Sequence, residues 1–416
     1  MHILFLTDNF PPEVNAPASR TFEHCREWVK AGHQVTVITC APNFPKGKVY
    51  PGYRNAFRSR ERMEGVEVIR VWSYMTANEG FLRRSIDYAS FMVSATLAAP
   101  SVKGVDVIVA TSPQFFTVCA GRLVSMILRK PFVFELRDLW PESIRAVGAV
   151  RDGPLIRALE AIEEHLYAKA AAIVSVTHAF KDTLVRRGVD AGKVHVVTNG
   201  ADLSRFSVRP RDEALAADLG FEGKFVVGYV GTHGMAHALD TVLEAADRLR
   251  HREDVGFLFL GDGASKGALK ARAQAMGLAS VRFVDSVPKE DVPRYWSLLD
   301  ASVIHLRRTE LFTTVIPSKL FECMAMGIPV LHGVAGESAE IVRREGCGEV
   351  FEPENAEALA DGIVALLDGP ERRAALAACG PRAARRYDRT ALAADMLRVL
   401  EDVAGVRRDG QPAKAA

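Results

Sequence analysis

The chain has 416 residues, 48% of them hydrophobic and 25% charged, with a formal net charge of +2 at pH 7, which predicts two globular domains and excludes a mainly disordered protein. Six scattered cysteines without a C-x-x-C pair favour reduced thiols in a cytoplasmic protein over a disulfide framework or a zinc site. Neither a signal peptide nor a membrane-spanning helix is expected, and no basic cluster is interleaved with aromatic residues, which disfavours nucleic acid as a partner.

The first 200 residues alternate short runs rich in β-branched residues with amphipathic stretches of helical length. The predicted strands are His2–Thr7, Gln34–Thr39, Val66–Val71, Val105–Ala110, Pro131–Glu135, Ala172–Val176 and Lys193–Val197. The predicted helices are Ser19–Ala31, Leu82–Ala99, Phe115–Leu128 and Leu155–Ala170. This alternation predicts a parallel sheet that is covered by helices on both faces.

Asn199-Gly200 opens an irregular segment that extends to about Pro210, and the same alternation begins again after it. The predicted strands of this second half are Phe225–Tyr229, Gly256–Leu260, Val281–Val284, Ala301–His305 and Pro329–Leu331. The predicted helices are Asp240–Arg250, Lys266–Met276, Asp291–Leu298, Ser318–Met326, Ala339–Arg344, Ala356–Leu367, Glu371–Ala378 and Arg389–Val403.

The chain is therefore predicted to form two doubly wound, Rossmann-like α/β domains, residues 1–200 and 201–388, with a boundary at residues 199–211. Sheets of this type bind ligands at the carboxyl ends of their strands, so a cleft between the domains is the expected site. We expect the helix at residues 389–404 to pack on the first domain and residues 405–416 to form a disordered tail.

A stretch that begins Pro317-Ser-Lys-Leu-Phe-Glu322 combines helix signals with charged groups. Ser318, Lys319 and Glu322 fall in the first turns of the predicted helix, where Ser318 and Glu322 share a face. A helix N-terminus beside a lysine favours phosphate, and a carboxylate one turn later can accept hydrogen bonds from ribose hydroxyls. A capped helix with one surface ion pair explains the same residues, so this stretch alone leaves both interpretations open.

Two glycine turns follow predicted strands of the second domain. Gly231-Thr-His-Gly234 connects a strand to a helix, and its glycines let backbone N–H groups approach an anion. The alternative is a tight turn that needs positive φ. Gly261-Asp-Gly263 imitates a dinucleotide fingerprint but has the wrong glycine spacing, and we interpret it as a structural turn that lines a nucleotide pocket.

Charged residues also follow a predicted strand of the first domain, Pro131–Glu135, at its carboxyl end. Arg137, Asp138 and Glu142 are therefore candidates for acceptor binding or proton transfer. Structural ion pairing is the competing interpretation, and the sequence does not separate the two.

The order of four motifs resembles one known family. Asn199-Gly-Ala-Asp202, Gly231-Thr232, Gly261-Asp-Gly263 and Glu322-Cys-Met-Ala-Met-Gly-Ile-Pro-Val330 follow one another as in the family 4 retaining glycosyltransferases of the GT-B fold. The resemblance covers nearly the whole chain. The segments Leu136–Ser143 and Pro317–Glu322 are similar to those of one branch of this family. That branch transfers amino-deoxy sugars, such as fucosamine, in bacterial surface-polysaccharide assembly.

The resemblance implies roles in a donor site. Glu322 matches the carboxylate that holds the donor ribose, and Thr314 stands eight residues earlier, where the family commonly has a second glutamate. Thr232 replaces the usual arginine after Gly231, and His237 matches the cationic position that follows. The implied donor-binding residues are Asn199, Gly231, Thr232, His233, Gly234, His237, Gly261, Thr314, Ser318, Lys319 and Glu322.

The implied catalytic candidates are Lys319, Arg137 and Asp138. Lys319 would be the phosphate-binding cation, since Thr232 replaces the usual arginine of the family. The implied acceptor-binding residues are Arg137, Glu142, Arg83 and Arg84. No protein nucleophile is named, because in retaining members the departing phosphate can take the acceptor proton.

The resemblance implies a hexosyltransferase that moves an N-acetylated amino-deoxy sugar from a nucleotide diphosphate, UDP-linked, to a hydroxyl of a lipid-linked saccharide, with retention. The absence of a D-x-D motif agrees with an enzyme that needs no metal or other cofactor. Two alternatives remain: a sugar-nucleotide epimerase of GT-B-like fold, and a catalytically silent partner that binds a nucleotide sugar.

A basic stretch suggests contact with an anionic membrane from the cytoplasmic side. Residues 1–200 carry 25 basic and 19 acidic residues, or +6, and residues 201–416 carry 28 and 32, or −4. A helix that begins with Phe81, Arg83 and Arg84 continues with apolar residues. A solvated loop followed by a core helix explains the same pattern. The basic residues of the stretch are Lys46, Lys48, Arg54, Arg58, Arg60 and Arg62.

Overall fold

The chain forms two compact units. The computed structural model describes residues 1–44, 46–76, 81–140 and 153–406. Unit 1 comprises Met1–Thr198 and the C-terminal segment that begins at Arg389, and unit 2 comprises Asn199–Asp388. The chain therefore leaves unit 1 once, forms the whole of unit 2, and returns to unit 1 for its last helix.

The strands of unit 1 that the structure describes form one sheet. They are β1 (His2–Leu6), β2 (Gln34–Cys40), β3 (Arg58–Met63), β4 (Val66–Val71), β5 (Val107–Thr111), β6 (Phe132–Leu136), β7 (Ala172–Ser175) and β8 (Val194–Val196). Their order is β3-β4-β2-β1-β5-β6-β7-β8, and β3 alone is antiparallel to its neighbour. The described helices of unit 1 are α1 (Ala16–Lys30), α2 (Phe81–Ala98), α3 (Phe115–Leu128), α4 (Pro154–Lys169), α5 (His178–Arg186) and α14 (Arg389–Ala404).

Both faces of this sheet are buried, which explains why its central strands are apolar throughout. In β1 all five residues are buried. Leu4 and Leu6 belong to one hydrophobic cluster, whereas Ile3 and Phe5 belong to another, because successive side chains point to opposite faces of a sheet. Helix α14 packs on α1, where the indole N–H of Trp28 donates a 2.8 Å hydrogen bond to a carbonyl oxygen of α14.

Part of the predicted basic stretch is a strand, which the sequence analysis missed. Residues 58–63 form β3 at the edge of the sheet, where Arg60 pairs with Glu67 of β4 at 3.0 Å and Arg70 of β4 pairs with Glu61. The side chain of Arg58 donates to the hydroxyl of Ser101. Charged side chains on an edge strand oppose pairing with a strand of another molecule. The same residues lack the alternation of apolar and polar side chains that marks a half-buried strand, so their sequence resembles that of a loop.

Unit 2 contains a smaller sheet that is parallel throughout its described strands. They are β9 (Phe225–Val230), β10 (Val255–Leu260), β11 (Val281–Val284), β12 (Ala301–His305), β13 (Val330–Gly333) and β14 (Gly348–Val350), in the order β11-β10-β9-β12-β13-β14. The helices are α6 (Glu213–Asp218), α7 (Asp240–Arg248), α8 (Lys266–Ala275), α9 (Val292–Trp296), α10 (Lys319–Met326), α11 (Glu337–Glu345), α12 (Ala356–Asp368) and α13 (Pro370–Ala384). The sequence analysis missed β14, a three-residue edge strand without a hydrophobic run.

Candidate functional site

The first glycine turn of unit 2 leaves β9 at its carboxyl end, the edge at which parallel sheets bind ligands. Gly231 has a φ of +135°, a conformation that side chains disfavour. Its N–H donates a 2.9 Å hydrogen bond to the carbonyl oxygen of Leu260. The hydroxyl of Tyr229 donates a 2.7 Å hydrogen bond to the carbonyl oxygen of Thr232, which fixes the turn to the strand before it.

The second glycine turn packs directly on the first. A Cβ atom on Gly261 would lie 1.9 Å from the carbonyl oxygen of Gly231, and one on Gly263 would lie 2.5 Å from that of His233. The N–H of His233 donates to the carbonyl oxygen of Asp262 at 2.8 Å. Glycine is required at both positions because two backbone segments meet here. The sequence predicts that the N–H of His233 faces a phosphate, but in this structure it forms a hydrogen bond between the two turns.

Lys319, the first residue of α10, extends to this pair of turns. Its Nζ lies 3.6 Å from the centre of the Tyr229 ring, and a Cβ atom on Gly231 would lie 2.9 Å from it. Nζ is buried, and no hydrogen-bond acceptor for it is found among the described residues. Burial lowers the pKa of Lys319 to about 7. The amine is therefore buried without the hydrogen bonds from described residues that would offset the cost of its burial.

The other predicted residues of this region lie on α10 or shortly before it. Ser318 stands at the N-cap, but its side chain makes no capping hydrogen bond. Glu322 is half-buried one turn later, and its charge favours the protonated form of Lys319, so the two groups are near each other. Thr314 closes the short turn before the helix, and its hydroxyl donates to the carbonyl oxygen of Leu311 at 2.6 Å.

The two histidines that are predicted to bind the donor have largely buried side chains, and their part in donor binding stays a prediction. His233 is fully buried, with its ring centre within 6.3 Å of those of Tyr229, Phe259 and Phe283, and burial lowers its pKa to about 4. Its side chain is therefore part of the core. Burial lowers the pKa of His237 to about 3. In the absence of a bound anion the imidazole of His237 is therefore neutral at pH 7.

His305, which the sequence analysis did not single out, holds the segment after the first turn. Its Nε2 accepts a 2.8 Å hydrogen bond from the N–H of Glu354, so Nδ1 carries the proton and donates at 2.8 Å to the carbonyl oxygen of His237. The ring stacks on Phe351 with 5.8 Å between ring centres. In the sequence, His305 is the last residue of a predicted strand, and this position is the signal that could have identified it.

In unit 1, Arg137 and Asp138 follow β6 and share one partner. Their N–H groups donate to the hydroxyl of Ser112 at 2.8 and 3.2 Å. The Arg137 guanidinium donates at 3.3 Å to the carbonyl oxygen of Pro17, and burial lowers the pKa of Arg137 to about 10, so it remains charged at pH 7. Glu142, the third candidate of this segment, lies outside the described residues.

A buried ion pair lies at the end of β6 beside these residues. The Nε of Arg20 is 2.9 Å from a carboxylate oxygen of Glu135, and both side chains are almost completely buried. The guanidinium of Arg20 also donates to the carbonyl oxygens of Val197 and Thr198, at 2.9 and 2.6 Å. This pair was not predicted, and the choice between a functional and a structural role for Arg137 and Asp138 stays open.

A group of carboxylates at the carboxyl end of β1 was not predicted. Burial, with the negative charge of Asp8 added, raises the pKa values of Glu13 and Asp87 each to about 7. Arg84 opposes the pKa shifts of Asp8 and Asp87, so it lies near both. It also donates a 2.7 Å hydrogen bond to the hydroxyl of Tyr88. This group combines hydrogen-bond acceptors and donors that suit a saccharide.

The sequence contains a signal for one member of this carboxylate group. Asp8 follows the first predicted strand closely, and the rule that identified Arg137 and Asp138 applies to it equally. The remaining two predicted residues lie elsewhere: Arg83 is exposed on α2, and Asn199 is the first residue of unit 2 and half-buried.

Within residues 1–44, 46–76, 81–140 and 153–406, no group of three or more His, Cys, Asp or Glu side chains is arranged to hold a metal ion. Among the helices of these ranges, none combines the length and the apolar character needed to cross a membrane.

Two protein-family models match the chain and divide it in the same way as the fold. The family described as "Glycosyl transferase 4-like domain" matches residues 15–200, and the family described as "Glycosyl transferases group 1" matches residues 211–382. The first match lies in unit 1 except for its last two residues, and the second lies wholly within unit 2.

Individual proteins resemble the chain over different lengths. The glycosyl transferase WcaI of Escherichia coli (strain K12), assigned to colanic acid biosynthesis, is 28% identical over 87% of this chain and 91% of its own length. The alpha-D-kanosaminyltransferase of Streptomyces kanamyceticus is 30% identical over 58% of this chain and 63% of its own length. The crystal structure of Anabaena Alr3699/HepE in complex with UDP and glucose matches 97% of this chain and 100% of that chain, with a TM-score of 0.72 and 18% identity.

Proposed function

This chain is a glycosyltransferase of the GT-B fold in which a glycosyl transferase 4-like domain precedes a group 1 domain, and we propose that it transfers a sugar from a UDP-linked donor to a hydroxyl of a lipid-linked saccharide. The predicted fold and enzyme class are thereby confirmed. The donor, the acceptor and the stereochemistry belong to the proposal. In it, the glycine turns and α10 of unit 2 bind the donor, and unit 1 supplies acceptor-binding residues.

The unpaired amine of Lys319 carries this proposal. A buried cation without an acceptor destabilises the protein, and the Tyr229 ring face offsets only part of that cost. A diphosphate that enters beside Gly231 would give Nζ the acceptor that the described residues do not supply. The positive charge would then oppose the charge that develops on the departing diphosphate, as the charge of a fixed donor does in other transfer sites.

UDP and an amino-deoxy sugar are the proposed parts of the donor. A solved structure of the same fold was determined with UDP and glucose, which supports UDP as the nucleotide. The kanosaminyltransferase and the segments Leu136–Ser143 and Pro317–Glu322 support an amino-deoxy sugar, and we propose its N-acetylated form. The similarity to a protein assigned to colanic acid biosynthesis supports a role in surface polysaccharide or lipopolysaccharide assembly.

Unit 1 offers a group that could orient an acceptor hydroxyl. Asp8 and Asp87 are carboxylates near each other at the carboxyl end of β1, and Arg84 lies near both. Carboxylates accept hydrogen bonds from sugar hydroxyls, and the guanidinium can donate to ring or hydroxyl oxygens. We place the acceptor here and at Arg137. We also propose that the reaction proceeds with retention and without a metal, the departing phosphate taking the acceptor proton.

Glu322 should hold the donor ribose. Replacement of Glu322 by alanine removes a charge-assisted hydrogen bond of ~1.5–3 kcal/mol, so donor affinity should fall by about ten- to a hundredfold. Titration calorimetry with UDP measures the change. Replacement of Glu340, an exposed glutamate on α11 of the same unit, is the matched control and should leave affinity unaltered. Unchanged UDP affinity in a folded Glu322→Ala protein would show that this role is wrong.

The affinity for UDP should decrease as the pH rises above 7. Free Lys319 has a pKa lowered to about 7 by burial, with Cys323 and Glu322 opposing the shift, whereas an adjacent diphosphate favours its charged form and raises the pKa. Binding above pH 7 therefore takes up a proton. Above about pH 7 the dissociation constant should rise by up to about tenfold per pH unit, and the diphosphate, whose last pKa is about 6, adds no titration there.

Calorimetry in two buffers of different ionisation enthalpy measures this proton uptake. In Lys319→Met the dependence on pH should disappear, because the titrating amine is absent. Buried His233 and His237 face the same turn, but their pKa values of about 4 and 3 keep them neutral through this range. A wild-type protein that binds UDP equally well from pH 7 to pH 9 would contradict the assignment of Lys319 to the diphosphate.

A panel of nucleotide sugars tests the reaction itself, with and without a lipid-linked saccharide. The proposal expects UDP release that requires the acceptor, together with a retained anomeric configuration in the product. An altered nucleotide sugar without UDP release would show an epimerase, an alternative that gains no support from the related proteins. Binding without turnover would show a silent partner, which Thr314 in place of the family glutamate keeps as the second candidate.

A further inference from the structure

The exposed Phe, Tyr and Trp side chains of the protein are concentrated in one region of unit 1. Within the described part of the chain these residues are Phe44, Phe57, Trp72 and Tyr74, so all of them lie between residues 44 and 74. Phe57 is 77% exposed, and Trp72 and Tyr74 are each 42% exposed. Single exposed apolar residues are ordinary on a protein surface, whereas a group of exposed rings indicates an interaction site.

Three of these rings lie on one surface, which we call the aromatic platform: Phe57, Trp72 and Tyr74. The N–H of Trp72 donates a 3.3 Å hydrogen bond to the carbonyl oxygen of Phe57, which extends the antiparallel ladder of β3 and β4 by one residue pair. Residues opposite each other in such a ladder turn their side chains to the same face, about 5 Å apart. Ser73 is 1% exposed, so the rings of Trp72 and Tyr74 lie on the outer side of the segment on either side of a buried residue.

The backbone beneath the aromatic platform is held by side chains from two other segments. The amide of Asn55 donates to the carbonyl oxygen of Ser73 at 2.7 Å and accepts from its N–H at 3.2 Å. The N–H of Tyr74 donates a 2.7 Å hydrogen bond to the hydroxyl of Ser90 on α2. Because these bonds already order the segment, a ligand that stacks on its rings would lose little affinity to the ordering of the protein.

The ring faces of the aromatic platform are not covered by the protein itself. Among the described residues, no other ring and no cation stacks on Phe57, Trp72 or Tyr74. The neighbouring guanidinium of Arg70 lies instead over the Tyr53 ring, 4.8 Å from its centre. The three rings therefore offer their apolar faces to solvent or to a ligand.

The aromatic platform lies beside the carboxylate group at the carboxyl end of β1. Trp72 directly follows β4, whose carboxyl end lies at the same edge of the sheet as that of β1. The hydroxyl of Ser73 lowers the pKa of Asp87, so the segment between Trp72 and Tyr74 reaches this carboxylate. A saccharide whose first sugar lies at Asp8 and Asp87 would extend its next sugars towards the platform.

The charges around the aromatic platform have both signs. Arg60 of β3 pairs with Glu67 of β4 at 3.0 Å, and Arg58 is bonded to the protein. Arg54 is exposed, and Asp87 contributes a carboxyl group on the side of α2. Mixed and mostly paired charges favour an uncharged ligand over an anionic surface. The predicted contact of the basic stretch with an anionic membrane stays a prediction.

We propose that the aromatic platform binds the saccharide chain of the acceptor, at sugars beyond the one that receives the transferred sugar. The C–H face of a pyranose packs on an aromatic ring and leaves water, while the hydroxyls at its rim stay hydrated. The acceptor is then an oligosaccharide, not a single sugar. This inference rests on the proposed function in one respect, because it takes the ligand of the platform to be the acceptor.

Titration calorimetry with soluble oligosaccharides tests the binding without any transfer. The probes are N-acetylglucosamine, its disaccharide and its tetrasaccharide, together with the corresponding series of glucose. A tetrasaccharide should bind about tenfold or more tightly than its monosaccharide. Phe57→Ala should weaken tetrasaccharide binding by about five- to tenfold, the effect of burying one sugar face on one ring.

Leu97→Ala is the matched control for Phe57→Ala. Leu97 is 68% exposed and lies near the end of α2, which leads from the carboxyl end of β4 to the opposite edge of the sheet. Its replacement should leave tetrasaccharide affinity unaltered. Trp72→Tyr should keep most of the affinity that Trp72→Ala loses, because tyrosine retains a ring face for stacking.

Kinetics with lipid-linked acceptors connect the aromatic platform to the reaction. In Phe57→Ala the KM for an oligosaccharide acceptor should rise by about five- to tenfold with little change in kcat, because sugars far from the reacting hydroxyl are bound equally in the ground state and the transition state. An acceptor with a single sugar should show no change in either constant.

The other results overturn the proposal. Absence of binding of both tetrasaccharides would do so, and so would equal affinity of Phe57→Ala and the wild type. A loss of vesicle binding or of dimers in Phe57→Ala at unchanged oligosaccharide affinity would identify a lipid surface or a second copy as the occupant. Tetrasaccharide binding that depends on Phe57 in a protein without transferase activity would reject the proposed function and keep the binding site. Transferase activity with unchanged acceptor KM in Phe57→Ala would reject the platform and keep the function.

Discussion

Replacement of Lys319 by methionine should lower turnover by about 10²–10³-fold, the usual loss when one fixed donor to a developing charge is removed. The same replacement should raise thermal stability. Methionine has a similar length and no charge, so it can fill the space beside Tyr229 and Gly231 without the cost of an unpaired buried amine. Steady-state kinetics and thermal unfolding of the same preparations measure both effects.

The sign of the stability change follows from the pKa of Lys319, which burial lowers from 10.5 to about 7. Protonation therefore favours the unfolded chain, and stability is lost as pH falls from about 10.5 to about 7 and is level below that. The loss at pH 7 is on the order of 2–4 kcal/mol, and methionine removes it. The gain of the variant should accordingly shrink towards pH 10.

Lys270→Met is the matched control, because Lys270 is an exposed lysine on α8 of the same unit. It should change neither turnover nor stability appreciably, since surface charges contribute little. If Lys319→Met lost thermal stability in proportion to turnover, the lysine would have a structural role, and the proposed diphosphate site would be without its cation.

Replacement of Gly261 by alanine should destabilise unit 2 severely and abolish donor binding. The added Cβ would lie 1.9 Å from the carbonyl oxygen of Gly231, and the φ of Gly261 is +140°. The atom that it meets belongs to the backbone, so no side chain can rotate away and the two turns must separate. We expect a loss of about 3 kcal/mol or more, or about 6–12 °C in melting temperature for a unit of this size.

Gly267→Ala is the control for this prediction. Gly267 lies in α8, where a Cβ atom would meet nothing within 4 Å. Alanine should there stabilise the helix by about 0.5–1 kcal/mol, because glycine loses more conformational entropy on folding. Normal stability and UDP affinity in Gly261→Ala would show that the contact between the two turns is not required.

The sequence predicted most elements of the fold because its apolar runs and helical periods are local signals. The strands β1, β4 and β9 lie within two residues of their predicted bounds. The elements that were not predicted are the helices α5 and α6 and the edge strands β3 and β14. The residues of these two strands gain strand structure only from a neighbour. The predicted ligand cleft between the domains stays a prediction, as does the role of Glu142.

The sequence by itself determined the doubly wound architecture, the glycine turns and the identity of the helix that carries Lys319 and Glu322, because spacing along the chain sets each of them. Only the tertiary structure decided which of the side chains near the glycine turns are buried, which are neutral and which lack a partner. It placed His233 in the core, made His237 neutral, and left the amine of Lys319 buried without a partner beside Gly231. The physical reason is that burial and partners, which set the protonation state of a side chain, come from segments far apart in sequence.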